Sequence, residues 1–322
     1  MKWSISAHRC FRRCQRQYYF SNIMARHDAD DERRRDAYIL KQLQTLPAWR
    51  GRLFDKGIER FVIPAIENGK PVDFDRVTQQ TMELAHRQFA FSKARKYRDP
   101  GTKKGAVGDE FCALFPHEYG LGVSPEELKM ALRDIACCFE NLRQQTEFVD
   151  YIRRRKWYGV QKTLSFNLDG VAVEGRPDLL FFRGEGQLTI VDWKTELSET
   201  SDNRPQLLVY ALGATRGWPQ ARLGEIEIYE ANVMRNEIRR HHATEEDLLE
   251  IEDFIFSSIC EIRSLIQGGK FADQNPEDYE LANNPNTCQY CSFRSLCLEV
   301  LSEDASSQSI RDVEPVQLDL PL

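Results

Sequence analysis

The sequence predicts a mixed α/β fold of the α+β kind: a β-rich core preceded by a large helical region and followed by a long helix and a cysteine cluster. Three observations carry this. Up to about Arg155 the apolar residues recur at helical intervals. From Val160 they give way to β-branched and aromatic runs broken by tight turns. Near the far end, Cys288, Cys291 and Cys297 stand at metal-ligand spacing.

The elements are expected in the following order. Ser4 to Leu40 reads as helical, with Cys10, Cys14, Tyr18 and Tyr19 on its apolar positions and basic residues between them. A second helix follows Gly51, from Phe54 to Glu67. The stretch from Tyr97 to Gly122, rich in Lys, Gly and Asp, reads as a long loop. Ser124 can cap a third helix, Pro125 suits its first position, and Glu127 completes a capping box; this helix runs towards Arg155. Strands are expected at Val160–Asn167, Val171–Phe182 and Leu188–Trp193, because Asp169-Gly170 and Gly184-Glu185-Gly186 are hairpin-turn sequences. A helix from Pro205 to Thr215, a strand over Ile226–Val233 and an amphipathic helix from Thr244 to Gln267 follow. The expected organisation is therefore a helical region over 1–159, a core over 160–235, a helix and cysteine cluster over 236–301, and a disordered acidic tail over 302–322.

Composition bounds the function. Of the 322 residues, 41% are hydrophobic and 29% charged, which suits a globular protein with a sizeable core. With no apolar run as long as a membrane span and no apolar leader after Met1, a cytoplasmic location is expected. Nine cysteines in a reducing compartment point to metal binding rather than disulfides. The net charge of −6 hides an asymmetry. Residues 1–60 hold 14 Lys or Arg against 7 Asp or Glu, whereas residues 302–322 hold 1 against 5. A basic first segment fits either solvated helix faces or a nucleic-acid surface.

The candidate chemistry lies in the core. Asp192 and Lys194 are two apart in a strand and share a face, while Trp193 turns away. Asp178 precedes them across a hairpin and can reach the same edge, so two carboxylates can share Mg²⁺ or Mn²⁺, hard cations suited to phosphodiester hydrolysis. Lys194 would orient the attacking water and offset charge on the phosphate. Gln206 and Tyr210, one helical turn apart, lie on one face of the next helix.

Together, Gly175-Arg176-Pro177-Asp178, Val191-Asp192-Trp193-Lys194-Thr195 and Gln206-x-x-x-Tyr210 resemble the RecB-like branch of the PD-(D/E)XK nucleases. The resemblance implies a restriction-endonuclease-like core, metal ligation by Asp178, Asp192 and the Trp193 carbonyl, water activation by Lys194, and support from Gln206 and Tyr210. That branch has Gly-x-x-x-His on an earlier helix. Here Gly51 is followed by Asp55, a carboxylate that can replace the imidazole as a metal ligand. The implied function is a Mg²⁺- or Mn²⁺-dependent deoxyribonuclease, expected as an exonuclease, in DNA repair, recombination or foreign-DNA processing. The alternative is an inactive DNA-binding or assembly module of the same fold.

The segment from Ser4 to Phe20 resembles the opening of iron–sulfur nucleases related to the AddB and CRISPR-adaptation exonucleases, where one early cysteine joins three late ones. That resemblance implies a structural [4Fe–4S] cluster on Cys14, Cys288, Cys291 and Cys297, a clasp between distant segments. Zinc is the alternative metal, and Cys10, one helical turn from Cys14, the alternative ligand. Cys112, Cys137, Cys138 and Cys260 read as small hydrophobes or ordinary thiols, and His241 and His242 as surface residues. Gln317-Leu318-Asp319-Leu320-Pro321-Leu322 resembles the hexapeptide by which bacterial proteins bind the replication sliding clamp, with Gln317, Leu318, Leu320 and Leu322 as contacts. The sequence lacks helicase motifs, so any unwinding would fall to a partner helicase.

Overall fold

The computed structural model describes residues 1–154, 158–197, 202–218, 220–266 and 274–308. It divides into two compact units: Met1–His8 with Leu43–Glu261, and Arg9–Gln42 with Ile262–Leu322.

Among the described residues, the first unit holds eight strands in two sheets. β1 (Lys2–Trp3), β2 (Tyr158–Val160), β3 (Leu164–Leu168), β4 (Val171–Gly175), β5 (Leu179–Gly184), β6 (Gln187–Lys194), β7 (Glu227–Asn232) and β8 (Glu237–His241) follow in chain order. The smaller sheet runs β1-β4-β3 and the larger β2-β5-β6-β7-β8. The strand expected over Val171–Phe182 is two strands in different sheets. Pro177 has no amide hydrogen to give a ladder, so the chain leaves one sheet at Gly175 and enters the other at Leu179. The expected hairpin turn at Asp169-Gly170 forms with both residues at positive φ, 49° and 74°. β5 and β6 pair antiparallel, with Leu179 opposite Val191. β6 and β7 pair parallel, with Asp192 beside Glu230, and the Arg204–Gly217 helix makes the crossover. β1 and β8 were absent from the sequence reading, and β1 is too short for any pattern to reveal it.

Helices cover the Trp193 face of the larger sheet. The Leu46–Gly57 helix is capped by Thr45, whose side chain accepts from the Ala48 amide. It buries Trp49, Leu53 and Phe54, with Phe54 4.9 Å from Phe139 and 6.0 Å from Trp193. The chain then widens to a π-helical turn at Ile58–Val62 before Ile63–Glu67, where Pro64 sits in a first turn that needs no amide hydrogen from it. The Phe74–Lys93 helix is an addition to the expected elements, capped by Asp73. The capping box of Ser124 and Glu127 opens the Pro125–Gln144 helix, which breaks before Thr146–Arg153. The expected loop from Tyr97 to Gly122 contains short turns at Lys104–Val107, Gly108–Glu110 and Phe115–Glu118.

The second unit joins two sequence-distant segments around aromatic residues. Tyr19 meets Tyr279 at 4.9 Å and Phe20 stacks on Phe293 at 5.8 Å. Buried Arg16 donates from its side chain to the Tyr279 carbonyl at 3.2 Å and from its backbone to Glu280 at 3.1 Å. The Arg294–Gln308 helix extends seven residues past the expected tail boundary at Leu301, because Ser302 to Gln308 contain no Pro or Gly to stop it. The hexapeptide Gln317–Leu322 lies outside the described residues.

Candidate active site

The end of β6 brings Asp192 and Lys194 onto one face, and the Lys194 ammonium lies 2.6 Å from Asp192 Oδ2. Asp192 is 2% exposed, so its charge depends on protein partners. Its Oδ1 accepts from Gln206 Nε2 at 3.1 Å and from the Tyr210 hydroxyl at 3.3 Å. Gln206 also donates to the Tyr210 hydroxyl at 2.7 Å, and that hydroxyl reaches the Arg176 carbonyl at 3.2 Å. The i, i+4 spacing on the Arg204–Gly217 helix thus delivers both polar groups to one carboxylate. Gly175 makes room for the tyrosine: a Cβ there would stand 2.9 Å from Tyr210 Cδ1.

Asp178, just before β5, is held from two sides. Its Oδ2 accepts from the Trp193 amide at 2.8 Å and its Oδ1 from Gln161 Nε2 at 2.7 Å. Asp55, from the Leu46–Gly57 helix, completes an acidic group. Burial and then the Asp192 charge raise its pKa to about 7, with Arg52 and Lys194 opposing. Asp178 is pushed well above the carboxylate range by burial and by the charges of Asp55 and Asp192. Burial alone would lower Lys194, but the Asp192 carboxylate outweighs it and the pKa is raised.

The structure therefore gathers Asp55, Asp178, Asp192, Lys194, Gln206 and Tyr210 in one place. Trp193 packs its ring on Phe54 and Phe148, away from these groups, as the strand alternation requires. Two residues escaped the sequence reading. Gln161 holds Asp178 and also donates its own amide to the Asp178 carbonyl at 2.9 Å. Glu230 lies beside Asp192 in register and its charge raises Lys194. Neither carries a local motif.

Among the described residues, no three His, Cys, Asp or Glu side chains are drawn together as a closed metal shell. Asp192 leans instead on Lys194, Gln206 and Tyr210, and Asp178 on Gln161 and the Trp193 amide. Their donor set still suits a hard divalent cation. Three mutually repelling carboxylates packed into protein are relieved by positive charge, and oxygen is the ligand such cations prefer.

A sequence model of the PD-(D/E)XK nuclease superfamily matches residues 2–298. The chain belongs to the PD-(D/E)XK nuclease superfamily. No curated protein matches it at a significant level. Among solved structures, a provisionally assigned exonuclease from Eubacterium rectale is similar at 12% identity, with 73% of this chain and 85% of that one covered and a TM-score of 0.32. The protein SSO0001 is similar at 13% identity, over 57% of this chain and 78% of that one, with a TM-score of 0.27. In this PD-(D/E)XK chain the mixed α/β fold agrees with the expected class.

In the second unit of the PD-(D/E)XK chain the four expected cysteines lie close enough to feel one another's charge, but among the described residues no three of them close into a metal shell. Burial raises the Cys291 thiol to about 12, and the charges of Cys14, Cys297 and Cys288 add to it. Burial also raises Cys297, which Arg16 opposes and Cys14 and Cys288 reinforce. Cys288 is raised by burial and by Cys14. The Cys14 charge also raises Cys10, after burial. Cys112 and Cys138 are buried, as expected of small hydrophobes, whereas Cys137 and Cys260 are exposed. His241 departs from the expected surface position: it is half-buried on β8, and its Nε2 is enclosed without a hydrogen-bond partner among the described residues. Among the described residues no helix is long and apolar enough to cross a membrane.

Proposed function

We propose that this chain is a Mg²⁺- or Mn²⁺-dependent deoxyribonuclease that removes nucleotides from DNA ends, acting in repair, recombination or foreign-DNA processing. The observation that carries the reading is the linkage of Asp192 to Lys194, Gln206 and Tyr210 beside Asp178 and Asp55. Asp55, Asp178, Asp192 and the Trp193 carbonyl would hold the cation. When bound, the cation supplies Lewis-acid stabilisation of charge on the phosphate. Lys194 then orients the attacking water and offsets negative charge developing on the phosphoryl oxygens. Gln206 and Tyr210 fix the rotamer of Asp192, and Gln161 that of Asp178, so the carboxylates do not reorganise as the bond breaks.

The same reading includes a structural [4Fe–4S] cluster on Cys14, Cys288, Cys291 and Cys297, supported by the shared neighbourhood of the four thiols. Zinc is distinguished from it by metal analysis. It also includes docking of Gln317–Leu322 on a sliding clamp, and a helicase partner where unwinding is needed.

End-labelled linear and circular DNA, single- and double-stranded, tests the activity in Mg²⁺, Mn²⁺ and EDTA. Linear DNA is expected to be degraded with either metal and spared in EDTA, while circular DNA resists. Asp192→Ala and Lys194→Ala each lose at least ~100-fold in kcat and keep their fold. Binding without cleavage by the unaltered protein would instead favour the inactive module, the reading motivated by Asp55 in place of histidine.

A further inference from the structure

The lysine of the carboxylate site stands where its strand has lost a neighbour. β5 supports β6 only as far as Leu179 opposite Val191, so among the described residues the ladder continues from Asp192 to Lys194 on the β7 side alone. On the open side the Trp193 amide is taken by Asp178 Oδ2 at 2.8 Å, a side chain in place of a strand. On the β7 side the register closes with Lys194 beside Asn232. A lysine at such an end moves with its main chain, and a misplacement of about 1 Å is enough to cost a reaction heavily.

Three successive carbonyls from that point on are each held by a different donor. Val233 gives its amide to the Lys194 carbonyl at 2.9 Å, Arg50 Nη2 donates to the Thr195 carbonyl at 2.6 Å, and Asn232 Nδ2 donates to the Glu196 carbonyl at 2.9 Å. Val233 and Asn232 act from the end of β7, but Arg50 comes from the Leu46–Gly57 helix, which also carries Asp55. Arg50 Nη1 pairs with Asp134 on the Pro125–Gln144 helix. The Arg50 side chain is 13% exposed, so water competes little for either bond. Gly51 lets the same helix lie close to the strand end: a Cβ there would stand 3.1 Å from Thr195 Oγ1.

We propose that Arg50 is a positioning residue of the carboxylate site. By holding the Thr195 carbonyl it fixes the main chain that carries Lys194, and it ties to that strand the helix that carries Asp55. The inference rests on the nuclease reading, which gives Lys194 a reaction to serve. Arginine suits the task because its planar fork serves a carboxylate with one nitrogen and a carbonyl with the other, whereas a lysine has a single head.

The test uses the full chain, with kcat and KM read on end-labelled linear DNA in Mn²⁺ and hydrogen exchange at the Val233 amide read by NMR in EDTA. That amide reports on the Lys194 carbonyl whether or not the protein cuts. Arg50→Met removes both bonds, and Arg50→Lys keeps the charge for Asp134 while giving up the carbonyl, so the second variant decides if the first does not fold. Both are expected to speed exchange at Val233 at least about fivefold, the loss of one hydrogen bond's worth of protection. Both are also expected to lower kcat roughly 10- to 100-fold with KM nearly unchanged. Asp134→Asn is the control for stability: it is expected to lower the melting temperature while exchange and kcat stay near the parent's, because the Thr195 bond remains. Arg50→Lys with the parent's exchange and kcat overturns the proposal. So does a change in only one of the two, or an equal loss of kcat in Asp134→Asn. Faster exchange in Arg50→Lys of a protein that cuts nothing upholds the clamp on the main chain and rejects the nuclease reading. Cleavage by a protein whose Arg50 variants match the parent does the reverse, and a chain that neither cuts nor changes its exchange overturns both.

Discussion

Tyr210 depends on a residue without a side chain. Its ring occupies the space that a Cβ on Gly175 would need, and its hydroxyl joins Asp192, Gln206 and the Arg176 carbonyl. Gly175→Ala must therefore move the ring or the end of β4. The expected cost is about 1–3 kcal/mol in stability, with kcat reduced as Asp192 loses its brace. Tyr210→Phe separates the two effects: the ring stays, the hydroxyl goes, and kcat is expected to fall about tenfold with KM nearly unchanged. Equal kcat in Tyr210→Phe and parent would remove Tyr210 from the site. Much of this site is legible in sequence because its geometry is local. Asp192 and Lys194 are related by strand alternation, and Gln206 and Tyr210 by one helical turn. Gln161 and Glu230 were illegible because they arrive through a loop crossing and a parallel register, which no short spacing encodes.

At the scale of elements, the turn after the Phe74–Lys93 helix is organised by one carboxylate. Burial would raise the pKa of Glu118, but hydrogen bonds and charge from Arg98, with Tyr97 and Arg95 adding, outweigh it and leave the pKa lowered. Its side chain is 7% exposed, but Arg95 and Arg98 are 50% and 29% exposed and can turn to water when the charge is removed. Glu118→Gln is expected to destabilise by about 1–2 kcal/mol at neutral pH. The sign follows from linkage. A depressed folded-state pKa gives stability that is present above the unfolded value and lost as pH falls through the folded one. Thermal melts should show the gap between parent and Glu118→Gln narrowing below pH ~4, and a gap that persists undiminished would mean that charge is not the cause. Sequence pattern captured the Ser124–Glu127 capping box and the hairpin turns, which are short-range signals, but not the caps at Thr45 and Asp73. It ran one strand through Pro177 and passed over the Phe74–Lys93 helix, because boundaries and partly polar helices are decided by packing.

At the scale of the whole molecule, the second unit is assembled from Arg9–Gln42 and the segment after Ile262, with most of the chain lying between them in sequence. Its described aromatic contacts are few: Phe11 with Tyr18, Tyr19 with Tyr279, and Phe20 with Phe293 among them. A small core closing so long a loop gains from a covalent or coordinate crosslink. On chain-entropy grounds, a link that closes a loop of hundreds of residues is worth about 5 kcal/mol. The four thiols of Cys14, Cys288, Cys291 and Cys297 share a neighbourhood and come from both segments, so the proposed cluster would act as that link. Anaerobically purified protein is expected to be brown and to contain about four irons per chain. Cys14→Ser should lose the iron as fully as Cys291→Ser, although it lies in the other segment, and both should lower the melting temperature together with metal content. Cys10→Ser should retain iron and colour, since Cys14 is the position expected to ligate and Cys10 stands one helical turn away from it. Iron retained in Cys14→Ser but lost in Cys10→Ser would move the fourth ligand by one helical turn. One zinc and no iron in the parent would replace the cluster while keeping the clasp, and full stability in the metal-free protein would remove the clasp itself.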